Sequence, residues 1–273
     1  MKRGMVVLFV CMIALTSFFS AGADTIGSLV CIGMTEDDVK QWTSDIASYE
    51  GKDTPYVNPH RIVFFDDLNS MVLALKSGEI DRLSVGMMVA QYIAARNEDL
   101  SFANRQHQAV LGYSIAMLDT DSDMINTMNE QIRAMKEDGI IDALKTKYID
   151  ELGTSDPEPV AMPKTGGRTI RIAVTGDLPP LDLILPDGTP AGFNTAFLAE
   201  LSKRMDVTFE LVNISSNARA LALSSGEVDA LFWTRSTYDA DGNELPFPLD
   251  RIDNISITIP YLLDNRDAVW RNE

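Results

Sequence analysis

The sequence LALSSGEVDALFW (Leu221–Trp233) reads as the end of a helix, a turn and the start of a buried strand. Gly226 can take the left-handed backbone conformation that ends a helix without steric cost. The apolar run that follows, Ala230–Trp233, shows no alternation with polar residues. A short apolar run directly after a helix stop is typical of a strand buried on both faces, as in a parallel sheet. The stretch therefore predicts an α/β fold.

The same pattern occurs a second time, as LALKSGEID at Leu73–Asp81. The motif Leu-Xaa-Ser-Gly-Glu-(Ile/Val)-Asp is shared by Leu75–Asp81 and Leu223–Asp229, and the flanking apolar runs have similar lengths. Two helix-to-strand units in one chain indicate two α/β lobes, each with its own sheet. The alternative is that two helices of an ordinary α/β protein end in the same residues by chance.

Composition excludes several classes of function. The chain has 273 residues and a formal net charge of −17 at pH 7, so its surface repels the phosphate backbone of nucleic acids. The two histidines, His60 and His107, are far apart in the sequence and have no ligand-like spacing. We therefore expect no nucleic-acid partner, no metal and no cofactor.

The first residues have the pattern of an export signal. Lys2 and Arg3 precede an apolar run from Met5 to Phe19, and Ala21-Gly22-Ala23 is a small-residue cleavage site. We expect cleavage after Ala23 and export to the periplasm or the extracellular space. The alternative is an uncleaved membrane anchor.

The stretch IRIAVTGDLPPLDLILPDGTPAGFNTAFLAELSKRM (Ile170–Met205) resembles the opening of the bacterial extracellular solute-binding proteins of family 3. ALALSSGEVDALF, Arg251 and Ile259-Pro260-Tyr261 then follow in the order of that family. Leu111–Ile149 is similar to the closing third of the family, and Cys31–Thr35 to the turn that opens its second lobe. The resemblance covers nearly all of the chain after the signal segment.

The matching parts stand in rotated order, which indicates a circular permutation. The resemblance therefore implies an α/β, two-lobed periplasmic-binding-protein-like fold of type II with a hinge between its lobes. The expected parts are a signal peptide (1–23), lobe two (24–112 plus 264–273), lobe one (113–150 plus 169–263) and a linker between the original termini (151–168). Permutation is tolerated where the original ends lie close together at the surface. The alternatives are two partial copies that complete each other between chains, or a gene fragment.

The resemblance also implies a set of ligand-binding residues. Arg251 matches the family's ligand arginine, whose planar fork suits a carboxylate, and Arg235 is its local rival. Thr234 and Ser236 fall on the turn where family members offer hydroxyl and backbone contacts. Backbone N–H groups of the facing lobe would come from Gly33, Met34 and Thr35.

Two departures from the family pattern bear on the ligand. The family's amino-group aspartate aligns with Gly86, and its two site aromatics align with Leu178 and Leu181. Trp233 is a candidate replacement ring, and the candidate replacement carboxylates are Asp177, Asp182 and Asp239. The usual clamp on an α-amino acid is incomplete, so we expect a ligand that is not a plain α-amino acid.

The leading interpretation is a monomeric exported receptor, without enzymatic activity, that captures a small polar, carboxylate-bearing, amino-acid-like ligand for an ABC-type membrane importer. The second is a sensing module of a signalling system that uses the same fold without transport. The third is a dehydratase-like enzyme on the same scaffold, which needs an acid or base placed in the cleft. A fold match does not choose among them.

Overall fold

The computed structural model describes residues 25–32, 61–104, 110–239, 242–244, 250 and 254–272. The predicted signal segment, Gly33–Thr35 and Arg251 lie outside these residues. None of the helices in the described part of the chain combines the length and apolar character that crossing a bilayer requires.

The described residues form an α/β structure, which confirms the predicted class. The strands are β1 (Thr25–Leu29), β2 (Arg61–Phe65), β3 (Arg82–Gly86), β4 (Leu100–Phe102), β5 (Val110–Leu118), β6 (Thr169–Val174), β7 (Asp177–Leu178), β8 (Asp182–Ile184), β9 (Pro190–Ala191), β10 (Thr208–Asn213), β11 (Ala230–Tyr238), β12 (Ile255–Ile257) and β13 (Leu262–Arg271). The helices are α1 (Leu68–Ser77), α2 (Met87–Ala95), α3 (Ser122–Glu137), α4 (Ile140–Lys145), α5 (Phe193–Met205) and α6 (Arg219–Ser224), with a 3₁₀ turn at Asp119–Asp121 and a π-helical turn at Thr146–Asp150.

Ten strands form one sheet that consists of two similar halves. The first half-sheet has the order β2-β1-β3-β13-β4, and the second has β10-β6-β11-β5-β12. In each half the first three strands are parallel and the fourth is antiparallel to its neighbours. Strand β13 belongs to both, because Leu262–Asn265 pair with β5 and Arg266–Trp270 pair with β3. The three short strands β7, β8 and β9 form a separate small sheet.

The two copies of the repeated motif occupy equivalent places in the two half-sheets. Gly78 ends α1 and Gly226 follows α6, both with positive φ, at 84° and 74°. The aspartates that follow these glycines make equivalent hydrogen bonds. Asp81 accepts one from the backbone N of Thr25, and Asp229 accepts one from the backbone N of Arg171. The repeat is therefore structural, and the alternative of a chance match of residues is wrong.

The core runs along the whole sheet. The methionines of α3, Met128 and Met135, are fully buried against it, so the methionine stripe on this helix is core filling. Aromatic rings close the core between α5 and the sheet, where Phe197 and Phe232 stack on Tyr261 at centroid distances of 4.5 and 5.2 Å. Such stacked pairs fix the position of the helix more sharply than aliphatic contacts do.

The segment predicted as a linker has neither helix nor strand, but it is tied to the body of the protein. The Arg96 guanidinium, at the end of α2, donates to the carbonyl oxygens of Gly153 and Ser155. Further along, the backbone N of Val160 donates to Pro190 at 2.9 Å. These contacts hold the segment along the surface between its two ends.

Two strands are longer than the sequence predicts. The apolar run that marks β11 ends at Trp233, but the strand continues to Tyr238 through a register shift between Phe232 and Thr234. The residues Ala268–Trp270 predict a short last strand, but β13 begins at Leu262. In both strands the additional residues include polar ones that resemble a loop in the sequence. Pairing with β5 nevertheless brings these residues into the sheet.

Candidate functional site

A cavity lies between the half-sheets, beside the point where β13 changes partners. Its polar lining residues are Ser28, Ser84, Tyr113, Arg235 and Arg266, and its apolar lining includes Gly86, Leu178 and Trp233. Among the described residues that line it, none is acidic. Its volume of about 20 Å³ is room for about one water molecule, so the two halves are closed against each other here.

Arg235 ties the two half-sheets together at this cavity. Its Nη2 lies 3.4 Å from Asp250 Oδ1, and the same nitrogen donates to the Val30 carbonyl and the Cys31 sulfur, both at 3.3 Å. Asp250 in turn accepts from the backbone N of Ile32 at 2.9 Å. Burial opposes the charge on Arg235, but the Asp250 carboxylate outweighs it, so the pKa of Arg235 is raised. The guanidinium is therefore fixed in its charged form.

Arg266 is the second cation of the cavity. It belongs to the shared strand β13, at the first residue that pairs with β3. Burial, followed by repulsion from Arg235, lowers the pKa of Arg266 to about 10, with the nearby Cys31 acting in the opposite direction. The side chain is thus cationic at neutral pH, and an anion in the cavity would meet two guanidinium groups.

Asp264 lies next to the cavity but behind Gly86. Its carboxylate accepts a hydrogen bond from the backbone N of Met88, in the first turn of α2, at 3.3 Å. It occupies the space that any side chain at Gly86 would need, so Gly86 must stay a glycine for the two elements to pack. Burial raises the pKa of Asp264 to about 7, against the hydrogen bonds from Met88 and its neighbours.

Trp233, predicted as a replacement ring of the site, lines the cavity and is almost fully buried. It is the residue at the register shift of β11, and its φ of 51° is unusual for a bulky side chain. Its Nε1 donates to Asp182 at 2.9 Å. Asp182 also accepts from the backbone N of Thr175 and of Gly176, at 3.0 and 3.1 Å. Asp182 therefore holds the indole in place.

Thr234 and Ser236 do not lie on a turn, as the sequence predicted. Both are buried within β11, where Thr234 pairs with Ser114 and Ser236 with Gly112. The Thr234 hydroxyl donates to the Ser114 carbonyl at 3.2 Å. Neither residue is among those that line the cavity.

Of the predicted residues near the Pro-Pro turn, the structure brings Leu178 into the cavity lining, where it is buried. Asp177 precedes it but is not among the lining residues. Burial raises the pKa of Asp177, opposed by hydrogen bonds from Thr175 and from the backbone of Leu68, while the Asp182 charge raises it further. Asp239, the third candidate carboxylate, accepts from Asn243 in a local turn at 2.8 Å.

The remaining predicted site residues, Gly33, Met34, Thr35 and Arg251, lie outside the described residues, so their role stays a prediction. Arg266 and Tyr113 are not among the predicted site residues, because the sequence does not reveal the length of β13 or its pairing with β5. The buried Arg219 is not among them either. The repeat contained a signal for it, since Arg219 stands at the place of Met71 in the other copy.

Comparison with known proteins identifies one segment. Residues 170–241 match the sequence model of the bacterial extracellular solute-binding proteins, family 3. This match covers about a quarter of the chain, and it confirms the resemblance seen in these residues. The family is periplasmic or extracellular, and its members bind small molecules and are generally non-enzymatic. No curated protein sequence matches the chain.

Solved structures of similar fold are distant. They include the ligand-binding component of an ABC-type import system from Staphylococcus aureus with zinc bound (14% identity, TM-score 0.39, 91% of this chain and 66% of that one). The alkanesulfonate-binding protein from Xanthomonas axonopodis pv. citri, bound to MOPS, has 10% identity and a TM-score of 0.38 over 92% and 66% of the chains. The GluR0 ligand-binding core with L-glutamate has 14% identity and a TM-score of 0.38 over 93% and 86%. The chain thus spans just under two thirds of the first two proteins.

Proposed function

Because residues 170–241 carry the sequence of the family 3 extracellular solute-binding proteins, we propose that this protein is an exported receptor for a small acidic solute. The solute is held between the half-sheets and handed to a separate ABC-type membrane importer. In this proposal residues 1–23 are the export signal, cleaved after Ala23.

The observation that carries the proposal is the chemistry of the cavity. Arg235 and Arg266 face it together with the hydroxyl-bearing Ser28, Ser84 and Tyr113, and no carboxylate lines it among the described residues. Guanidinium and hydroxyl donors are the groups that recognise carboxylate oxygens. The described lining offers no carboxylate for an ammonium group, which favours an acidic solute over a zwitterionic amino acid.

Binding requires the halves to separate, because the closed cavity has room for about one water molecule. We propose lobes with the predicted bounds, 24–112 plus 264–273 and 113–150 plus 169–263, in a circularly permuted order in which the linker 151–168 joins the original termini within the second of these lobes. Strand β13, which pairs with both halves, is the natural pivot. Closure then removes water around the bound acid, and its interactions with the arginines become stronger.

Arg251 keeps its proposed role as the arginine that binds the carboxylate, with Arg235 and Arg266 as further cations. Asp250 immediately precedes it in the sequence and is bonded to Arg235, so the chain enters this segment beside the cavity. Backbone N–H groups of Gly33, Met34 and Thr35 would complete the site from the facing lobe, since Ile32 is bonded to the same Asp250.

The test is calorimetry on protein purified without refolding, titrated with matched pairs of solutes such as succinate against L-aspartate and acetate against glycine. We expect acids without an ammonium group to bind more tightly than their amino-acid counterparts. Arg251→Ala and Arg235→Gln should each weaken binding, whereas Arg171→Gln, which removes an arginine paired with Asp229 away from the cavity, should not. Equal binding by the Arg251→Ala and Arg235→Gln proteins would refute the proposal.

A further inference from the structure

Arg219 is a wholly buried arginine that uses only part of its hydrogen-bonding capacity. It is the first residue of α6 and has 0% of its surface exposed. Its Nη1 donates to the carbonyl of Phe232 at 3.0 Å and lies 3.5 Å from the carbonyl of Trp233. Both carbonyl groups lie at the register shift of β11. Its Nε and Nη2 are buried without a hydrogen-bond partner.

Packing alone does not explain an arginine at this position. The internal repeat places Arg219 where the first copy has Met71, and Met71 is also 0% exposed. The next equivalent positions of the two copies are also buried in both: Leu75, which follows Met71, and Leu223, which follows Arg219 at the same spacing. An uncharged side chain of similar length therefore fills the equivalent space. The arginine adds a buried charge, which costs free energy unless it is paired.

The nearby acids are already occupied by other donors. Asp182 accepts from the backbone N of Thr175 and Gly176 and from the indole of Trp233. Asp250 accepts from Arg235 and from the backbone N of Ile32. Their charges and that of Asp177 reach Arg219, but none of the three supplies an oxygen to Nε or Nη2. The unused donors therefore fit an anion that comes from outside the chain.

The Trp233 ring connects Arg219 to the cavity. The ring lines the cavity, and the guanidinium carbon of Arg219 lies 4.2 Å from the ring centre. The guanidinium carbon of Arg235, which also lines the cavity, lies 5.5 Å from the same centre. For Arg219 to meet a solute in the cavity, the halves must separate and this indole must shift, which breaks its hydrogen bond to Asp182.

We propose that Arg219 is a specificity-determining residue that binds an oxyanion group of the solute through its Nε and Nη2. These two nitrogens form one edge of the guanidinium, whose parallel N–H groups match the paired oxygens of a carboxylate, sulfonate or phosphate. The inference rests on the proposed solute-binding function and adds a residue that the resemblance does not provide.

The test uses acetate and sulfate as probes, each compared with chloride at equal ionic strength. The protein carries Trp42→Phe and Trp270→Phe, so that Trp233 is its remaining tryptophan and its emission reports events at Arg219. We expect a saturable change with at least one probe. Acetate alone would identify a carboxylate subsite, and sulfate alone a tetrahedral-oxyanion subsite.

Arg219→Lys is the informative variant, because its ammonium can still donate to the Phe232 carbonyl while the paired edge is lost. We expect it to bind the probe about tenfold or more weakly, as for the loss of a charge-assisted hydrogen bond, with little change in the thermal midpoint measured without probe. Arg171→Lys is the control, because both Nε and Nη2 of Arg171 are already bonded to Asp229. The inference is wrong if Arg219→Lys binds the probe as tightly as the parent, or if neither probe gives a saturable response.

The outcomes separate this inference from the proposed function. If no acidic solute binds in calorimetry but sulfate or acetate binding depends on Arg219, the receptor function fails and the anion-binding residue stands. If a solute binds with dependence on Arg235 and Arg251 while Arg219→Lys has no effect on solute or probe, the receptor function stands and the inference on Arg219 fails.

Discussion

Replacing Asp264 by asparagine should remove a pH dependence of stability that the wild-type protein has between mildly acid and neutral pH. Asp264 is 4% exposed, and burial raises its pKa from 3.8 to about 7. The groups that face it are the first backbone N–H groups of α2, the Tyr113 side chain from β5 and the Lys145 charge from α4. The N–H groups and Lys145 favour the carboxylate, so the raised pKa is the net result of burial.

The sign follows from linkage. Between pH 4 and 7 the carboxyl is ionised in the unfolded chain but protonated in the folded one, so the folded state binds more protons and stability falls as pH rises. A pKa difference of about 3 units corresponds to a loss of about 4 kcal/mol in the free energy of unfolding across this window. The amide of the Asp264→Asn variant cannot ionise, so the difference between variant and wild type should grow with pH by an amount of this order and level off above pH 7.

The assay is guanidinium unfolding followed by circular dichroism at several pH values from 4.5 to 8, for wild type and Asp264→Asn. Because the two proteins share all other titrating groups, their difference isolates this residue. Asp187→Asn is the control, since Asp187 is exposed and hydrogen bonds from Thr189 lower its pKa, so it should leave the difference flat in this range. Parallel curves for wild type and Asp264→Asn would refute the reasoning and would mean that the first turn of α2 keeps the carboxylate ionised.

Three further changes test the packing of the site. Gly112→Ala places a methyl group against the Tyr238 ring, and we expect a loss of about 1–3 kcal/mol in urea unfolding, whereas an unchanged midpoint would contradict the close contact. Asp182→Ala leaves four buried donors without this acceptor, so the protein should lose about 1–3 kcal/mol or more in the free energy of unfolding. The near-ultraviolet circular dichroism of the indole should also change, and a spectrum like that of wild type would count against the role of Asp182. Met71→Ala should lower the free energy of unfolding by about 2–5 kcal/mol, and Leu73→Ala, at 66% exposure, by less than about 0.5 kcal/mol. Similar losses for the two variants would show that this copy of the repeat does not lie in the core as described.

The sequence was sufficient for the features that depend on local pattern. The glycines after α1 and α6 and the apolar runs that follow them predicted two buried strands, and the equivalent burial of Leu75 and Leu223 agrees with that reading. The repeat also contained more than was drawn from it. Aligning the copies one turn further back pairs Arg219 with Met71, which marks a charged residue at a core position.

What the sequence could not provide is pairing between distant strands. Thr234 and Ser236 look like loop residues because they are polar, yet both are buried where β11 continues along β5. The Thr234 hydroxyl is acceptable there because it donates to the Ser114 carbonyl, and the Ser236 side chain because it is hydrogen-bonded to that of Tyr238. The cavity depends on the same long-range pairing, since Tyr113 and Arg266 come together only through β5 and β13.

The position of β13 has a consequence for how the polypeptide is made. Residues 266–270 insert between β3 and β4, which come from much earlier in the sequence. During translation, the first half-sheet must therefore wait with an open interior edge until residues 266–270 have left the ribosome. Such an edge is a template for unwanted strand pairing, so this order of synthesis calls for protection by a chaperone or by delayed collapse.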